Sequence, residues 1–214
     1  MFMDKKVQDI VYFFCKYYPR ELTRTILVKL VYLADVEYYK KYLRQTTDLV
    51  YEFGNHGPFT WDIVNAAGRL QPDFIEVEET ESAYGERKYI YRCKDNDYEF
   101  TGLDKYTLDI LHSVIEKFSS YSLEDILDYV YTNPPLTYFR KGDIMDFSKW
   151  IESGDLHLHA KIKVNGKMNE LATSLKDQYK GQLIEFEKDD VEDEEKDKIN
   201  RIIAKDIPRI IDSE

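Results

Sequence analysis

The chain's apolar positions fall into two periods, one helical and one alternating, and their order along the sequence predicts the architecture. Val7, Ile10, Val11, Phe14, Cys15 and Tyr18 recur at three- and four-residue spacing, the signature of one helix face, and Pro19 ends the run by removing a backbone donor. From Thr23, which can cap a helix, to about Leu43 the pattern changes. Leu27, Leu30, Val31, Ala34 and Tyr38 form one stripe, and Val28, Tyr32, Asp35 and Tyr39 a second. A helix apolar on almost every side belongs inside a domain. Residues 49–53 read as extended, and Thr60 caps a third helix to about Leu70, so three helices are expected before any sheet. Phe74–Glu78 and Arg87–Arg92 alternate apolar or aromatic with charged residues and predict an antiparallel hairpin, with Ala83–Glu86 as its turn. A long helix is then expected from near Leu103 to Phe118. A second follows a capping-box-like Ser122-Leu123-Glu124-Asp125 and ends at Asn133-Pro134-Pro135.

After about Phe147 the pattern loosens. Leu156, Leu158, Ala160, Ile162 and Val164 alternate with His157, His159, Lys161 and Lys163 before a tight-turn Asn165-Gly166, which predicts an edge strand. A helix through Leu171, Leu175, Tyr179 and Leu183 and an acidic stretch at 187–198 would follow. The expected fold is therefore mainly α: a helical bundle around a buried central helix with a small β-hairpin in residues 1–147, and a C-terminal α/β extension in 148–214.

Composition narrows this picture. With 43% hydrophobic and 14% aromatic residues the chain is globular in type, and its mean hydropathy of -0.55 with 33% charged residues argues against a membrane protein. No apolar run reaches the ~20 residues of a spanning helix, and the amphipathic N-terminus does not resemble a secretory signal, so a cytoplasmic location is expected. The net charge of -11 disfavours broad nucleic-acid contact. Twelve acids against six bases in residues 185–214 account for -6 of it. Cys15 and Cys93 carry no metal-ligand spacing and read as free thiols.

The run Leu27-Val28-Lys29-Leu30-Val31-Tyr32-Leu33-Ala34-Asp35, the turn Gly54-Asn55-His56-Gly57-Pro58, and the helical pair ending near Asn133-Pro134-Pro135 together resemble the Panacea, or SocA-like, antitoxin domain over about residues 5–147. Where relatives often carry a His-Glu and a Pro-Trp near the last helix, this chain has Tyr131-Thr132-Asn133-Pro134-Pro135. Members of that family are mostly bacterial and phage proteins encoded beside small toxins. The resemblance implies a non-enzymatic protein that neutralises a cognate toxin by direct binding, or an adapter that delivers the toxin to a protease. It implies no cofactor. Tyr is favoured in interfaces, and Tyr39, Tyr51 and Trp61, with His56, Gly57 and Pro58 of the turn, are the expected contact residues. Asp35, a carboxylate among apolar neighbours, reads as a structural group needing donors, with the backbone of the Gly54–Pro58 turn as the expected source.

Two further patterns carry chemistry. Pro72-Asp73 followed by Glu86-Arg87-Lys88 spells a short motif of Mg²⁺-dependent nucleases, in which Asp73 and Glu86 would hold the metal and Lys88 would position water. Asp155, His157 and His159 would share one strand face, a spacing that metal sites use, although zinc usually takes three or four well-placed ligands. The phosphate-loop, nucleophile-elbow and zinc-protease patterns are missing.

Overall fold

A computed structural model describes residues 2–81, 85, 87–94, 97–153, 162–163 and 186–187. The chain divides into two compact units, Met1–Asp155 and Leu156–Glu214. In the second, the described residues form two short strands, β7 (Ile162–Lys163) and β8 (Phe186–Glu187), paired in parallel. The expected turn at Asn165-Gly166, the helix through Leu171–Leu183 and the site at Asp155, His157 and His159 lie outside the described residues.

The first unit is mainly helical with two small sheets. In chain order it contains α1 (Phe2–Tyr17), β1 (Leu22–Thr23), α2 (Arg24–Tyr42), β2 (Tyr51–Gly54), β3 (Gly57–Phe59) and α3 (Trp61–Leu70). There follow β4 (Ile75–Glu81), β5 (Arg87–Cys93), α4 (Lys105–Phe118), α5 (Leu123–Thr132), a 3₁₀ turn at Leu136–Tyr138, β6 (Ile144–Met145) and α6 (Ser148–Glu152). Both sheets contain pieces that lie before α3, so the expectation of three helices ahead of any sheet is corrected: β1, β2 and β3 are too short to show a period.

The long elements follow their patterns. Thr23 caps α2 by accepting from the Ile26 N–H, and every residue from Ile26 to Val36 is buried, as an all-round apolar sequence requires. α1, α4 and α5 pack against it. The expected hairpin is β4–β5, in register from Ile75 opposite Cys93 to Glu81 opposite Arg87, and β1 adds to its far edge. Ser122 and Asp125 form the predicted capping box at the start of α5.

A polar tie fastens α1. The fully buried Asp9 carboxylate accepts from the Gly102 N–H at 2.6 Å and the Tyr98 hydroxyl at 2.5 Å, and pairs with Lys5 at 2.8 Å. Glycine lets the two segments close up at 102: a Cβ there would stand 3.0 Å from both the Asp9 carboxylate and the Lys6 backbone, and one of them would have to give way.

Candidate functional site

Two buried charges on α2 organise the strands beside it. Asp35 is fully buried and accepts from the Thr46 N–H at 2.8 Å, the Thr47 N–H at 2.9 Å, the Tyr51 hydroxyl at 2.8 Å and the Thr47 hydroxyl. Burial lifts its carboxyl above the usual aspartate range, and these four donors pull it back only in part. The expectation that the Gly54–Pro58 turn supplies the donors is therefore corrected. The chain leaves α2 through Leu43 in the left-handed conformation and doubles back at once, so the nearest amides are those of Thr46 and Thr47.

The Gly57-Pro58 segment meets α2 six residues earlier, at Lys29. This lysine, 2% exposed, donates from Nζ to the Pro58 carbonyl at 2.6 Å, and desolvation pulls its pKa down to about 7. Gly57 has φ +82°, a conformation that suits glycine, and closes a two-residue hairpin whose tip is Asn55-His56. Sequence reasoning gave Lys29 no role, although a lysine flanked by Val28 and Leu30 in an apolar helix was the available signal.

The six expected contact residues divide into two groups. Tyr51 is enclosed, its ring against Tyr32 and Phe147 and its hydroxyl spent on Asp35. Tyr39 is buried beneath Trp150, the rings stacked at 6.3 Å, while Gly57 and Pro58 are covered by Lys29 and the α5 side. His56 is exposed at the hairpin tip, and Trp61, 62% exposed, starts α3 with its ring edge-on to Phe59 at 5.2 Å. Surface and support thus sit next to each other in sequence: His56 and Trp61 face water, and the residues between them fix where they stand.

Of the nuclease-like motif, Asp73 and Lys88 are not brought together. Ile75 pairs with Cys93 while Lys88 pairs with Thr80, five residues further along β4, or about 17 Å at ~3.3 Å per residue, and Asp73 lies beyond Ile75. Lys88 instead forms an ion pair with Glu21. Glu86 lies outside the described residues.

The first unit is thus a mainly helical domain, its most buried helix tied by Asp35 to the loop that follows it and by Lys29 to a hairpin, after which Trp61 stands exposed at the start of α3. A family model described as "Antitoxin SocA-like, Panacea domain" matches residues 27–135, from the second turn of α2 to the Pro134-Pro135 corner, and the chain belongs to that family. No curated protein and no solved structure matches the chain. Among the described residues no helix is long and apolar enough to cross a membrane.

Proposed function

We propose that this protein neutralises a cognate toxin by binding it directly and covering its working surface. Family membership supports the antitoxin role, and the exposure of Trp61, its ring edge-on to Phe59 of a hairpin that Lys29 holds down, is the observation that favours direct binding. A large, rigid side chain left in water on a fixed support is what a protein interface uses as an anchor. Tyr39, Tyr51, Gly57 and Pro58 would serve the contact from behind by setting its shape. A stable complex should bury on the order of 800 Å² per partner.

The test is co-expression with the product of the adjacent reading frame. Growth should be arrested by that product alone and restored by the pair, the two proteins should co-purify, and the toxin should persist at an undiminished level. Trp61→Ala should weaken the purified complex about 30-fold, as loss of an interface anchor does. Protection accompanied by disappearance of the toxin would replace occlusion with delivery to a protease.

A further inference from the structure

Three large apolar side chains around β2 are left in water: Val50 at 61%, Ile144 at 60% and Trp61 at 62% exposure. The strand register brings them together. Glu52 stands opposite Phe59 of β3 on one side and opposite Ile144 of β6 on the other, and residues directly opposite in antiparallel strands share a face. Phe59, Glu52 and Ile144 therefore form one row across the sheet. Burial alternates from Leu49 through Val50 and Tyr51 to Glu52, which sets Val50 on the same side, and Trp61 extends the row through its contact with Phe59. The opposite row, Tyr51 and Met145, is buried. The result is an apolar sheet face, open to water, with a carboxylate at its centre. No described cation lies within ion-pairing distance of Glu52.

We infer that this face is the seat of the toxin, and that the toxin fills it with an apolar element carrying a lysine or arginine that pairs with Glu52. The inference rests on the neutralisation reading and specifies its contact. Charge selects the occupant. A second copy of this chain, turned face to face, would set Glu52 against its own equivalent on two molecules of net charge -11, and a covered carboxylate without a cation is costly. A cationic partner removes both penalties and gains the apolar rim.

The experiment is calorimetric titration of the full-length chain with the purified product of the adjacent reading frame, comparing wild type with Glu52→Lys, Ile144→Asp and Val50→Asp. All three positions are exposed, so thermal melts should match the wild type. Glu52→Lys should weaken binding about 30-fold and each aspartate variant about 10-fold or more. Wild-type binding with all three variants within twofold of it would overturn the sheet-face seat while leaving neutralisation standing. Failure of the wild type to bind would overturn the neutralisation reading and this inference with it. A dimer in light scattering that Ile144→Asp dissociates would assign the face to a second copy instead.

Discussion

Asp35 and Lys29 lie six residues apart on one helix, and each is withdrawn from water with no opposite charge among its hydrogen-bond partners. They should fail differently. Asp35→Ala removes the acceptor from two amides and two hydroxyls in a closed space; each stranded donor costs ~1–3 kcal/mol, so a loss on the order of 4 kcal/mol is expected in urea unfolding. Asp35→Asn should cost less because one acceptor oxygen remains. Lys29 predicts a slope with pH. Its pKa falls from 10.5 in the unfolded chain to about 7 in the native one, so between those values the unfolded chain holds a proton that the native chain has released. Stability should therefore rise with pH across that window by up to ~1.4 kcal/mol per unit relative to Lys29→Met, and parallel wild-type and variant curves from pH 6.5 to 9.5 would contradict it. The burial of Asp35 was readable from its place in an apolar helix. Its partners were not, because they depend on where the chain turns after Leu43, and helical periodicity carries no information about that.

At the level of elements, what could be read was whatever repeated. α1, α2, α3 and the β4–β5 hairpin each run long enough for their period to show, and Thr23, Thr60 and Ser122 announced helix starts by chemistry. β1, β3 and β6 have two or three residues each and exist because a neighbouring strand offers them hydrogen bonds. Ile144 could not have been placed beside Val50 without that pairing, so half of the apolar face was invisible in the sequence. The same hairpin makes a local prediction. Gly57→Ala meets no hard contact, since its Cβ would lie 3.5 Å from the flexible end of Lys29, but the backbone at φ +82° disfavours a side chain. A loss of ~1–2 kcal/mol is expected on thermal unfolding, with Gly57→Asn losing less. Equal losses for the two would point to crowding at Lys29 rather than to backbone strain.

For the whole molecule the question is where the folded unit ends. The apolar pattern weakens after Phe147, and a boundary drawn there separates Trp150 from the domain it completes. Trp150 is buried, stacked on Tyr39 with the Lys40 ammonium 5.7 Å from its ring, so α6 packs on the residues before it. Five residues of helix cannot signal this by periodicity, because one buried tryptophan makes no repeat. The consequence separates two truncations that differ by eight residues. A chain ending at Asp155 keeps that packing and should unfold in urea at the wild-type midpoint of this unit. A chain ending at Phe147 uncovers Tyr39 and should lose ~3 kcal/mol, the scale of deleting a buried aromatic side chain. Trp150→Ala in the full-length chain should reproduce most of that loss. If it does not, the stabilising contribution of residues 148–155 lies in their backbone rather than in the indole. If the two truncations unfold alike, the tryptophan contributes nothing to the fold and the earlier boundary is the right one.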